Sequence, residues 1–192
     1  PAAMYAMGSL LLAKDDLAGA VKMAEDGLSK YPQSLPVQTL SLNTITTLLD
    51  KNRVEDAERL ISKYPGTSPG LVFQQGALAF RKGDYPLAQS LFREAARRAS
   101  EKTAESALFN ENLAALNAND AAGAAALVKE AAGSAQLREH ILFEQAHYAA
   151  KRMNPQAPEL LASFVALATD PALKTQARLD QAEVALNLNP PD

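Results

Sequence analysis

His140 and His147, the only two histidines in the chain, flank Glu144 at spacings of four and three. Imidazole and carboxylate are the usual ligands of a zinc-type centre, and such pairs also do general acid–base work. The spacing puts all three side chains on one face of a helix. One face supplies too few ligands, however, and no second segment offers a matching set. A surface His beside a Glu is ordinarily an ion-paired or capping residue, so we expect no metal and no cofactor here. The chain has no Cys, which excludes thiolate metal sites, Cys nucleophiles and disulfides. It also shows no phosphate-cradling Gly loop, Ser nucleophile elbow or paired Asp motif, and it reads as non-enzymatic.

The other concentration of charge is the run Arg93, Arg97, Arg98 and Lys102, which invites a phosphate or lipid headgroup. Glu94 and Glu101 dilute it, and cations at a helix C-terminus complement the dipole, so a solvated helix end is the better reading. A formal net charge of −3 argues against a nucleic-acid partner, which needs a basic face to neutralise phosphates. No apolar run approaches the roughly 18–20 residues that span a bilayer, so direct membrane insertion is not expected. PAAMYAMGSL lacks the basic region and continuous apolar core of a signal peptide. Its initial Pro points to a mature form or a fragment of a longer protein. The Ala-rich, Cys-free style points to a bacterial protein, and zero Cys is neutral between the cytoplasm and the periplasm or cell envelope.

What could position a binding surface is a period. Ser29-Lys30-Tyr31-Pro32 returns as Ser62-Lys63-Tyr64-Pro65, and each Pro sits where a helix must end. Asp15-Asp16-Leu17-Ala18-Gly19-Ala20 aligns with Gly83-Asp84-Tyr85-Pro86-Leu87-Ala88, two periods of 34 further on. At that offset Gly8 meets Gly76, Ala24 meets Phe92 and Gly27 meets Ala95. Asn52-Arg53-Val54-Glu55-Asp56-Ala57 and Asn119-Asp120-Ala121-Ala122-Gly123-Ala124 are two further copies. Each unit divides into two helices around a polar break (KDD, KNR, KGD, AND) whose Asp or Asn is a good N-cap. Small residues (Gly8, Ala20, Gly76, Ala88, Ala124) fall where the paired helices must cross closely. Beyond the fourth copy, ILFEQAHYAAKRM is a helix stopped by Asn154-Pro155, and ELLASFVALA is a helix ended by Asp170-Pro171. ALKTQARLDQAEVALNL is a third helix running to Asn189-Pro190-Pro191.

This pattern resembles the tetratricopeptide repeat family, in its degenerate bacterial form. The third unit, GALAFRKGDYPLAQSLFREAARRA, carries the match through Gly76, Gly83-Asp84-Tyr85, Ala88, Phe92 and Ala95. The first matches through Gly8, Ala20 and Pro32; Ile45 and Asn112 occupy the Gly position of the second and fourth. Trp is kept nowhere. The resemblance implies an all-α, right-handed α-solenoid of about five stacked antiparallel helix hairpins. Four repeats would occupy about 1–34, 35–67, 68–101 and 102–133, with divergent repeats or capping helices over 134–192.

By the same resemblance, the first helices line a concave groove that receives a peptide or helix of a protein partner. The lining residues would be Tyr5, Ser9 and Leu12; Leu42, Thr46 and Leu49; Phe73, Ala77, Phe80 and Arg81; and Phe109, Leu113 and Leu116. Such a mostly apolar and aromatic surface suits an amphipathic or apolar segment. The carboxylate clamp of the chaperone-binding branch is absent: Tyr5, Ser9, Thr46, Phe73 and Ala77 stand in its place. The expected function is a protein–protein interaction scaffold within a larger bacterial assembly. The alternative is a spacer or oligomerisation module of a longer multi-repeat protein, with the groove filled internally or by self-association.

Overall fold

The computed structural model describes residues 1–188; the expected stop at Asn189-Pro190-Pro191 lies outside them. Among the described residues there are eleven α-helices, one short 3-10 turn and no strand. The helices are α1 (Ala2–Ala13), α2 (Leu17–Lys30), α3 (Leu35–Asp50), α4 (Val54–Lys63), α5 (Pro69–Arg81) and α6 (Tyr85–Arg98). They continue as α7 (Glu101–Asn117), α8 (Ala121–Glu130), α9 (Ala135–Lys151), α10 (Ala157–Leu167) and α11 (Pro171–Leu188). The chain forms two compact units, Pro1–Ala107 and Leu108 onward, and α7 runs from one into the other.

One backbone device recurs at the tip of every hairpin. Asp15, Asn52, Gly83, Asn119 and Met153 take the left-handed conformation, with φ between 51° and 78°. In each copy that residue donates its N–H three residues back, and the next residue donates five back. Asp15 thus reaches Leu12 and Asp16 reaches Leu11, while Met153 reaches Ala150 and Asn154 reaches Ala149. This is the Schellman arrangement, which satisfies carbonyls left over at a helix end. Asp16, Asp84 and Asp120 then cap α2, α6 and α8, accepting from the N–H of Gly19, Leu87 and Gly123. The second hairpin differs from expectation: Asn52 is spent on the left-handed position, and Arg53 starts α4 without a side-chain cap.

In the first unit α1, α3 and α5 pack in succession, as do α2 and α4, and each hairpin packs internally. The core runs through Ala24, Val37, Leu40, Ile45, Leu48, Ala57, Leu60 and Leu71. Burying a residue such as Leu40 stabilises the fold by about 1.5–3 kcal/mol. That gain explains why α3 is helical despite its β-branched run. Its buried Ser41 and Thr44 hydroxyls donate to the carbonyls of Val37 and Leu40, and Thr46 and Thr47 do likewise toward Leu42 and Asn43. Gly8 and Gly76 serve different crossings. A Cβ on Gly76 would lie 2.9 Å from the Phe92 ring of its own hairpin, as expected. A Cβ on Gly8 would lie 2.5 Å from both Leu40 methyls, so this glycine admits the next unit's first helix rather than its own partner.

In the second unit α9 packs on α8, α10 and α11, and α10 packs on α11. Phe143, Ala146, Ala150, Leu161, Phe164, Ala177 and Val184 form one cluster; Leu127, Ile141 and Leu137 form another. No described helix is long and apolar enough to cross a membrane.

Candidate functional site

On α3 and α5 three of the expected groove residues, Leu42, Thr46 and Arg81, each meet a residue outside that set. Leu42 lies beneath Gly70, where an added Cβ would come within 3.0 Å of its Cδ1. One turn on, Gln74 Nε2 donates to Thr46 Oγ1 at 2.8 Å, and at the end Arg81 stands 4.0 Å from Asp50. The Gln74–Thr46 bond was invisible in the sequence, because neither residue type nor local spacing selects one partner 28 residues away. Tyr5 is 37% exposed on α1, and Ser9 and Leu12 beside it are half-buried.

Other members of the set are less available than expected. Leu49 is a correction: it is 3% exposed and belongs to the core, because α3 turns that position inward beside Leu48. Leu12, Leu42 and Ala77 are half-buried and pack against the same core. Phe73 sets its ring edge-on to buried Phe92 at 5.3 Å, and Phe80 meets Tyr85 at 5.2 Å. Both aromatics therefore show one side and spend the other on α6. The first unit's face is a mixed stripe of exposed Tyr5, Thr46 and Arg81 among partly covered apolar side chains. Phe109, Leu113 and Leu116 are half-buried in the second unit, with Phe109 6.4 Å from the His140 ring.

The two histidines part company. His140 turns to Phe109 on α7. His147 stacks on Phe143 and meets Asp180 on α11 through Nδ1 at 2.6 Å. The helix face predicted from spacing is thus split between two neighbouring helices. Glu144, between them, is pushed above the usual carboxylate range by burial, which the two histidines only partly offset. No group of three or more potential metal ligands occurs among the described residues. Asp180 is 1% exposed and also accepts from Gln176 at 3.1 Å. A second polar link joins α9 to α7 and α8: Gln145 Nε2 donates to Asn112 Oδ1 at 2.9 Å and to the Ala124 carbonyl at 2.8 Å. Asn112, at the position where the repeat pattern wants Gly, is fully buried.

The basic run is tied down in part. Arg98 bonds Glu94 at 2.6 Å and also reaches the Thr67 carbonyl. The second-helix layer holds its own ion pairs, with Glu25 accepting from Arg59 and Lys63 of α4, each at 3.1 Å.

No protein-family model matches the chain, and no curated protein or solved structure is significantly similar to it.

Proposed function

We propose that the chain is a tetratricopeptide-like array, a right-handed solenoid of helix hairpins, and that it acts by binding rather than by catalysis. The observation that carries this reading is the fivefold return of one hairpin turn, at Asp15, Asn52, Gly83, Asn119 and Met153. Identical turns give each hairpin the same entry and exit geometry, and stacked hairpins of that kind bury a continuous core while leaving one helix layer free. In the first unit that layer is α1, α3 and α5, with Tyr5, Leu42, Thr46, Phe73, Phe80 and Arg81 along it. The partner best suited to it is an amphipathic protein helix: an apolar ridge meets the half-covered aromatics, and polar positions meet Thr46 and Arg81.

Tyr5→Ala/Arg81→Ala is the appropriate probe, because both side chains project to solvent and their loss leaves the Phe73–Phe92 packing intact. Tagged wild type and double variant are compared in native cell extract after mild cross-linking. A partner present with wild type and lost from the variant supports the groove; identical partners remove it. Small-angle scattering tests the array, since a curved solenoid has a larger radius of gyration than a compact helical bundle of equal length.

The spacer reading has its own support. Large apolar side chains lie open on α1 (Met7, Leu10) and on α10 and α11 (Leu160, Leu167, Leu179, Leu186). Faces of this kind are what further repeats or copies would cover.

A further inference from the structure

Four of the five hairpin tips put the left-handed residue on Asp15, Asn52, Gly83 or Asn119, types that tolerate that backbone. The fifth puts it on Met153, with φ of 51°. Met gains nothing from this conformation, and a strained position held by an ill-suited residue directs attention to its side chain. The Met153 side chain is exposed (45%), and Asn187 of α11 donates from Nδ2 to the sulfur at 3.9 Å. This contact is the last of three rungs that join α9 to α11. His147 meets Asp180 at 2.6 Å, Lys151 meets Glu183 at 2.7 Å, and then Met153 meets Asn187. Asp180, Glu183 and Asn187 follow one another at spacings of three and four, on the α11 face turned to α9. The first two rungs end on a carboxylate, whereas the third has only a thioether, a weak acceptor. The other methionines are placed differently. Met4 and Met23 are half-buried, and Met7 is 50% exposed but accepts no hydrogen bond among the described residues.

We propose that Met153 is an oxidation site, and that its sulfoxide closes the third rung onto Asn187. The oxidant is hydrogen peroxide. A sulfur lone pair attacks one peroxide oxygen, the O–O bond breaks and a sulfur–oxygen bond forms. The departing hydroxide takes the proton shed by the transferred oxygen and leaves as water; sulfur loses two electrons and the peroxide gains them. The sulfoxide oxygen is polar and a stronger acceptor than the thioether sulfur. Met has enough rotatable bonds to turn that oxygen toward the Asn187 amide, and an oxygen between sulfur and Nδ2 falls within ordinary hydrogen-bond length. Oxidation disrupts a methionine packed in a core, but this side chain is exposed, so the new polar atom stays hydrated on its free side. Asn187 sits in the final turn of α11, where a helix opens most readily, and the new bond pins that turn to the α9–α10 tip. The inference rests on no part of the groove reading, because both residues lie in the second unit.

Hydrogen–deuterium exchange on the full chain reads that turn directly. The chain is treated with dilute hydrogen peroxide, peptide mass spectrometry follows each methionine, and exchange is compared over residues 184–187. Met153 should gain one oxygen ahead of Met4 and Met23. The amides of 184–187 should then exchange about two- to tenfold more slowly, as one added hydrogen bond implies. Met153→Leu keeps the bulk and the left-handed strain but has no sulfur to oxidise. Asn187→Leu leaves the sulfur oxidisable but has no amide to donate. Neither variant should slow after peroxide. Both positions are exposed, and each variant is compared with itself before and after treatment. Exchange that is unchanged or faster in the oxidised wild type overturns the proposal. Slowing in either variant also overturns it, since the effect then arises away from the Met153–Asn187 rung. A Met153 that stays a thioether while Met4 and Met23 are oxidised does the same.

Discussion

His147→Phe is the sharpest test of how the second unit is held. Asp180 is 1% exposed, and its oxygens meet His147 Nδ1 at 2.6 Å and Gln176 Nε2 at 3.1 Å. Replacing imidazole by phenyl keeps a planar ring on Phe143 and removes one of the two donors. Leaving a buried acceptor short of one donor costs about 1–3 kcal/mol. The His147 side chain is 29% exposed, so water can replace part of what is lost and about 1–2 kcal/mol applies. For a unit of this size each kcal/mol moves the melting temperature by about 4–8 °C, giving a fall of about 4–16 °C. Differential scanning calorimetry measures this directly. His147→Phe/Asp180→Leu should recover most of the loss, because it removes the stranded carboxylate along with its partner. If His147→Phe costs less than about 1 kcal/mol, or the double variant is no better than the single, the buried pair does not hold α9 to α11.

Three further outcomes are expected. Asp84→Ala removes the side-chain cap of α6 and should lower stability by about 0.5–2 kcal/mol in urea denaturation. Met153→Gly relieves a left-handed position that costs an ordinary side chain about 1 kcal/mol, and should stabilise the α9–α10 turn in the same assay. The Asp170 N–H, the Thr169 hydroxyl and the Thr169 N–H hold Glu139 below its usual value of 4.5. A depressed carboxylate contributes stability above its unfolded pKa and loses it as pH falls, so wild type should lose more stability than Glu139→Gln between about pH 5 and 3.

Most of the helical punctuation was readable because it is local. KDD, KGD and AND announce turns through residues that tolerate left-handed backbone or cap a helix, and Pro marks the ends. The same logic failed at Asn52: Asn suits both the left-handed position and the N-cap, and the chain uses it for the first. At Met153 it was only half legible: Asn154-Pro155 marked the stop, but the left-handed position falls on a residue whose type predicts a helix interior. The residues named for the groove fall on α1, α3, α5 and α7, and their exposure was not legible. Whether Phe73 is open or rests on Phe92, and whether Leu49 lines a surface or the core, depends on helix rotation that a spacing of three and four leaves undetermined. The His147–Asp180 and Gln145–Asn112 links, each across 33 residues, had no local signal at all.

From α1 to α5 the helices pack on their next and next-but-one neighbours in sequence, and this has a kinetic consequence. Each stabilising crossing closes only a short stretch of chain, which favours folding on microsecond-to-millisecond timescales for helical proteins. A ribosome adds about 5–20 residues per second, so another unit of 34 takes seconds to emerge. The α1–α2 hairpin and its contact with α3 can therefore form while most of the chain is still unmade. Leu40 closes over Gly8 at that stage, and bulk at position 8 would delay the earliest docking event as well as weaken the finished fold.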